Sequence, residues 1–308
     1  MSETAFLFPG QGSQRVGMGR DLFDKTALGR QLYKKANKIM GMDIASLSFN
    51  GPSEALMRTE YTQPSIFIVS VILANLLMER GGVPHCGAGH SLGEYSALTA
   101  AAVFSFEDAL KLVKIRGQSM QDSGTSNPGT MAAIIGLDEE KVSRICEESS
   151  GEGVVAPANF NSQNQIVISG DLKSVRHAIE LAKEAGAARA IELKVSGAFH
   201  SPLMSSAKKA VREALENIEL REARFPVVMN VTARRTTDPD EIRRNLIDQI
   251  DHPVRWLETI QELKDLRVTQ CIEVGPGNVL RGLLRRIDSF FSASGVESLE
   301  TLEKVACA

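Results

Sequence analysis

The tightest constraint on the fold is Gly89-His90-Ser91-Leu92-Gly93, a GxSxG set between a short apolar stretch (His85 to Gly89) and an Ala- and Leu-rich one (Leu92 to Ala102). A strand that turns at once into a helix leaves room only for small residues beside the serine, and it lifts the hydroxyl to the end of a sheet. The helix N-terminus beneath that hydroxyl favours developing negative charge. The same five residues also suit a glycine-rich turn with an incidental serine, so the rest of the chain must supply the chemistry.

Strands alternating with helices predict a mainly parallel sheet covered on both faces. Thr4 to Phe8 reads as a buried strand stopped by Pro9-Gly10. Asp21 to Met40 reads as one helix. An apolar helix opens with Pro64 in its first turn and closes at Gly81-Gly82. Ser105 can cap a helix from Phe106 to about Met120. From Thr130 to Leu193 the order is β-α-β-β-α-β, that of a ferredoxin-like unit. The turn-rich run Ser123 to Gly129 precedes it as a hinge, and Val195-Ser196-Gly197 follows it. The expected organisation is a large α/β domain over 1–125 and 197–308 with a small ferredoxin-like domain inserted over 126–196. Helices are expected over Pro202–Asn217, Pro239–Ile250 and Trp256–Leu266, with strands over Pro226–Asn230 and Gln270–Val274. Ser292 to Ala308 is expected to be loosely held.

Composition narrows the function classes. The 308 residues are 43% hydrophobic and 24% charged, which suits a globular chain. The formal net charge of -3 offers no global basic surface for nucleic acid. Cys86, Cys146, Cys271 and Cys307 are scattered without a CxxC pair, and the five histidines lack HExxH spacing. Neither a disulfide frame nor a metal is expected, and the thiols read as buried side chains in a reducing compartment. The N-terminus lacks a signal-peptide pattern, and the apolar stretch Ser65 to Met78 is too short to span a bilayer. A cytoplasmic monomer away from membranes is the expectation.

A serine hydroxyl needs a base. His200 follows the inserted segment, in Gly197-Ala198-Phe199-His200-Ser201-Pro202 at the start of a helix. His90 is the rival, but side chains adjacent in an elbow point apart. Either histidine could equally be a satisfied structural residue. Phe8 to Gln14 (FPGQGSQ) lacks the glycine spacing of a nucleotide loop and can instead offer a backbone N–H to an oxyanion. Arg116 sits among Leu110, Leu112, Val113 and Ile115 on a largely buried helix. There it must find either an internal salt bridge or a substrate carboxylate.

These segments together resemble the malonyl-CoA:acyl carrier protein transacylase family, the acyltransferases of fatty acid and polyketide synthesis. The likeness runs from Phe8 to about Ile287. It is carried by FPGQGSQ (from Phe8), GHSLGEYSAL (from Gly89), IRGQSMQ (from Ile115), GTMAAIIGL (from Gly129), ANFNSQNQIVISG (from Ala158), GAFHS (from Gly197), PVRW (from Pro253) and EVGPGNVL (from Glu273). The resemblance implies an α/β-hydrolase-like large domain with a ferredoxin-like small one. It implies Ser91 as nucleophile, His200 as base, and the Gln249 carbonyl as the group that orients the imidazole. The N–H groups of Gln11 and Leu92 would form the oxyanion hole, Arg116 would hold the malonyl carboxylate, and Asn159 would be a supporting polar residue. Phe199 would fill the space that a 2-methyl branch needs. No cofactor is implied; a coenzyme A thioester is the substrate, and an acyl carrier protein is the acceptor. Carrier proteins are usually acidic, so Arg281, Arg285 and Arg286 on one helix, or Lys208 and Lys209 on another, are docking candidates.

Three alternatives stay open. A polyketide carrier could replace a fatty acid one. An esterase or thioesterase would share the elbow, but such enzymes place an acid between serine and histidine and the histidine near the C-terminus. A non-catalytic carrier-binding module would share the fold without forming an acyl-enzyme.

Overall fold

The computed structural model describes residues 3–151 and 153–306, so Cys307 lies outside the described residues. In chain order the strands are β1 (Glu3–Phe8), β2 (Cys86–Gly89), β3 (Gly129–Ile135), β4 (Val155–Ser162) and β5 (Gln165–Asp171). After these come β6 (Arg189–Glu192), β7 (Val227–Val228), β8 (Arg235–Thr236), β9 (Val268–Val274) and β10 (Ser292–Val296). They form a six-stranded sheet, β10-β9-β1-β2-β7-β8, and a four-stranded sheet, β4-β5-β3-β6.

Every pairing in the first sheet is parallel except β7 with β8. Parallel neighbours need crossovers, and helices on both faces supply them, so the central strands are apolar throughout. Phe6 and Phe8 of β1 enter the core shared with helices Thr59–Glu79, Leu92–Ala100 and Phe106–Ser126. Ala5 and Leu7 point the other way, against helices Trp256–Asp265 and Val279–Ile287.

The second sheet is antiparallel throughout, with the strand order a ferredoxin-like β-α-β-β-α-β unit requires. Its side chains alternate with period two. Ala132 and Ile134 pack under helices Glu139–Ser150 and Leu172–Glu184, while Met131 and Ala133 join the main core. Phe160 N–H donates to the Val254 carbonyl (2.9 Å) and Val254 N–H donates to that of Ala158 (2.9 Å). These two bonds pin β4, and Asn159 with it, to the segment before Trp256.

Several expectations need correction. Asp21 to Met40 is two helices, Arg20–Lys25 and Ala27–Met40, because the Thr26 hydroxyl accepts the Gly29 N–H (2.9 Å) and caps a new start. The apolar helix begins at Thr59, which leaves Pro64 beyond its first turn. At 21 residues that helix is long and apolar enough to cross a bilayer, so the argument from length fails. What sets it apart is burial: from Thr59 to Leu77 every residue except Tyr61 and Asn75 lies inside the protein. The helix from Phe106 runs on to Ser126 through half of the expected hinge. Gly124 serves packing there, since a Cβ on it would stand 2.2 Å from the Ser196 carbonyl oxygen. The strand expected over Pro226–Asn230 shrinks to β7, because the Met229 N–H turns to the Arg234 carbonyl (3.0 Å).

The C-terminal stretch is not loose over its described residues. β10 pairs with β9, Asp21 accepts the Leu299 N–H (2.7 Å) at the head of helix Leu299–Ala306, and Leu302 is fully buried. Short helices Ile44–Asn50 and Ser53–Leu56 and the strand β8 were not anticipated. Cys86, Cys146 and Cys271 are buried free thiols, and burial pushes each up to about 12.

Candidate active site

Phe8 at the end of β1 stands opposite Gly89 at the end of β2, so the loops leaving these adjacent strands meet at the carboxyl edge of the sheet. That edge is where open α/β sheets bind ligands. The approach is close. A Cβ on Gly93 would lie 1.9 Å from the Phe8 carbonyl oxygen, and one on Gly89 would lie 1.9 Å from the Gly93 carbonyl carbon. The two glycines of GxSxG are therefore what lets strand, turn and helix touch through their backbones. Ser91 sits at φ 52°, ψ −109°, a conformation L-residues rarely adopt. Asn230 holds it there: its Oδ1 accepts the Ser91 N–H (2.8 Å) and its Nδ2 donates to the Gly89 carbonyl (2.6 Å).

Ser91 Oγ lies 2.8 Å from His200 Nε2 and 3.0 Å from Arg116 Nη2. His200 Nδ1 lies 2.8 Å from the Gln249 carbonyl oxygen. A carbonyl only accepts, so Nδ1 carries the proton and Nε2 is the free acceptor facing the serine. Burial, and after it the positive charge of Arg116, hold the imidazole down to about 3, against the pull of the Gln249 carbonyl. The ring is therefore neutral at ordinary pH, the form a base needs.

Arg116 is fully buried. Its Nη1 donates to Gln63 Oε1 (2.6 Å), its Nη2 donates to Gln249 Oε1 (2.9 Å), and its guanidinium lies 5.2 Å from the centre of the Tyr95 ring. Nε has no hydrogen-bond partner, and among the described residues no carboxylate forms an ion pair with Arg116. Burial lowers its pKa. A buried cation held by two amides, a hydroxyl and an aromatic face, with no carboxylate in contact, is costly, and a carboxylate entering beside it would relieve that cost.

A cavity of about 140 Å³ opens over Ser91, lined among others by Gln11, Leu92, Met120, Met131, Asn159 and Phe199. Among the described residues no hydrogen bond takes up the backbone N–H of Gln11 or Leu92. A Cβ on Gly10 would stand 3.8 Å from the Leu92 nitrogen, which puts the Gln11 loop against the elbow. His90 also lines the cavity, but its Nε2 is taken up by Asn161 Oδ1 (2.9 Å) and its ring lies against Trp256, while His200 is the histidine bonded to the serine.

Sequence reasoning missed four residues. Gln63 supports Arg116, Asn230 supports the elbow, and Asn161 occupies His90. Glu94 is buried and accepts from the Gln249 side chain. Glu94 alone left a signal, as a lone acid in an Ala- and Leu-rich helix.

The docking candidates separate. Arg281 is committed to Glu273 (3.2 Å) and to the Gly277 carbonyl (3.3 Å), and Lys208 to Asp248 (2.9 Å) and Asp251 (3.0 Å). Arg281 and Lys208 therefore serve the fold, against the expectation for them. Arg285, Arg286 and Lys209 remain exposed.

Residues 5–303 match the sequence model of a family described as acyl transferase domain. A malonyl CoA-acyl carrier protein transacylase of Bacillus subtilis (strain 168) is 42% identical over 304 residues, which cover 98% of this chain and 96% of that protein. The crystal structure of an acyl carrier protein S-malonyltransferase from Vibrio cholerae, 41% identical, aligns with a TM-score of 0.95 over 99% of this chain and 100% of that one. A solved complex of a type II PKS acyl-carrier protein with its malonyl-transacylase aligns with the same TM-score, at 41% identity over 99% of each chain.

Proposed function

The chain belongs to the acyl transferase domain family, and on that premise we propose that it moves the malonyl group of malonyl-CoA to the phosphopantetheine thiol of an acyl carrier protein through an ester on Ser91, feeding fatty acid biosynthesis. One observation carries the reading. Ser91 Oγ is within hydrogen-bond reach of both a neutral imidazole and a buried guanidinium. Nucleophile, base and carboxylate grip thus converge on one atom.

His200 Nε2 takes the Ser91 proton as Oγ attacks the thioester carbonyl. The N–H groups of Gln11 and Leu92 hold the oxyanion, each contributing about 3 kcal/mol. The C–S bond breaks, coenzyme A leaves with the proton from His200, and the malonyl ester stays with its carboxylate at Arg116. The carrier thiol repeats the sequence in reverse, its proton passing through His200 to Ser91. No cofactor takes part. A malonyl carboxylate at Arg116 also offsets the second-largest of the causes that depress His200, so the substrate strengthens its own base. A neutral acyl group leaves that charge in place. The hydrolase alternative calls for an acid behind His200, where this chain has the Gln249 carbonyl.

Intact mass after incubation with malonyl-CoA, methylmalonyl-CoA and acetyl-CoA in turn tests the proposal. The malonyl adduct is expected to dominate and to be absent from Ser91→Ala, whose transfer rate falls by at least about 10⁴-fold. A malonyl adduct on the Ser91→Ala protein overturns the reading.

A further inference from the structure

Glu94 is a buried carboxyl that the mechanism leaves unused. Its Oε1 accepts the Asn230 N–H (3.3 Å) and its Oε2 accepts from Gln249 Nε2. Among the described residues no lysine, arginine or histidine lies within ion-pair distance of it. The nearest cation is one amide away: Gln249 Oε1 accepts from Arg116 Nη2 (2.9 Å) while its Nε2 faces Glu94 and the Ser91 carbonyl (2.9 Å). Acceptors surround the nitrogen of that amide and a donor faces its oxygen, so its orientation is fixed. The result is a guanidinium–amide–carboxylate bridge directly beneath the nucleophile.

We propose that Glu94 is the resident counter-charge of Arg116, and that it takes up a proton when a malonyl ester forms on Ser91. This rests on the malonyl-transfer reading. Before acylation the bridge is neutral overall, one cation and one anion, both buried. A malonyl carboxylate beside Arg116 makes the cluster net negative, which a buried site tolerates poorly. A proton on Glu94 restores neutrality. The titratable groups facing Glu94 are Arg116 from helix Phe106–Ser126, Tyr95 from its own helix and, beyond the Gln249 amide, His200. Tyr95 is pushed up to about 12 by burial and stays neutral. Burial has already lifted Glu94 to about 7, so its proton is available near neutral pH, whereas His200 sits at about 3. Glu94 acts through Gln249 and touches no substrate, so it is a positioning residue.

Acyl transfer from coenzyme A to serine is itself nearly proton-neutral at pH 7.5, since a thiol of pKa about 8.5 leaves mostly protonated. Protons counted with an indicator dye in weak buffer, per ester counted by intact mass, therefore report the enzyme. We expect uptake of about 0.7 proton per malonyl ester at pH 7.5 and none per acetyl ester. Above pH 7 the acylation equilibrium with malonyl-CoA should fall by up to about tenfold per pH unit. In Glu94→Gln both effects should vanish. No uptake by the native enzyme despite a full malonyl adduct overturns the proposal. Equal uptake with acetyl-CoA, or unchanged uptake in Glu94→Gln, also overturns it and assigns the proton elsewhere. Should Glu94→Gln fail to fold or acylate, the pH profile of the malonyl-specific uptake on the native enzyme decides: a midpoint near 7 assigns the proton to Glu94, and one well below 7 assigns it to His200 and overturns the proposal. An absent Ser91 adduct would instead overturn the function.

Discussion

The two sheets contribute in different ways. The parallel sheet presents backbone: the ends of β1 and β2, the Ser91 turn and the N–H groups of Gln11 and Leu92 all depend on main chain meeting main chain. The antiparallel sheet presents side chains: Met131 and Asn159 reach the cavity from β3 and β4, and its edge strand β6 is largely exposed. Backbone contact tolerates almost no added atom, while side-chain contact yields in small steps. Chemistry should therefore fail abruptly when the first sheet is disturbed, and recognition should change gradually where the second meets it.

Gly93→Ala is the harshest test of that contrast. Its Cβ would stand 1.9 Å from the Phe8 carbonyl oxygen, and neither backbone can retreat without breaking the β1–β2 pairing. We expect a loss of more than about 3 kcal/mol in urea unfolding, or no folded protein. A variant of native stability would show that the elbow is softer than its geometry and would remove the contrast.

Arg116→Ala comes next in size. It deletes charge-assisted hydrogen bonds of roughly 1.5–3 kcal/mol each. kcat/KM for malonyl-CoA should drop about 100-fold or more, while acetyl-CoA is turned over no worse. Equal losses on both thioesters would mean that Arg116 supports the turn and does not select the acyl group.

How much of this the sequence carried follows from the same contrast. Backbone-determined features leave local marks: GxSxG between strand and helix, a proline–glycine stop after β1, a β-α-β-β-α-β rhythm. The fold class and most of the element order were readable for that reason, though not the short helices Ile44–Asn50 and Ser53–Leu56 or strand β8. The convergence of Ser91, His200 and Arg116 was inferred by resemblance, since over a hundred residues separate the serine from the histidine and no local pattern encodes their meeting. Asn230 and Gln63 left no mark, because each is one polar residue whose role exists only after distant segments pack. Errors in the helices have a similar origin. Thr26 as a cap and Gly124 as a packing residue are choices between two local readings of one residue, and tertiary contacts made the choice.

The smallest expected effect lies where the sheets adjoin. Arg285 and Arg286 close helix Val279–Ile287, both exposed, and Arg286 Nη1 donates to Gln165 Oε1 (3.1 Å) at the start of β5. With Arg281 held by Glu273, this pair is the uncommitted basic surface of that helix, and we propose it as the docking face for a carrier protein. Rim charges steer encounter more than they add affinity, and each is worth only about 0.2–1 kcal/mol. Arg285→Glu and Arg286→Glu should therefore each raise KM for carrier protein about two- to fivefold. The effect should weaken with added salt, and KM for malonyl-CoA should stay where it was. Equal shifts for both substrates would place the pair at the coenzyme rather than the carrier, and recognition would then not divide from chemistry along the line between the sheets.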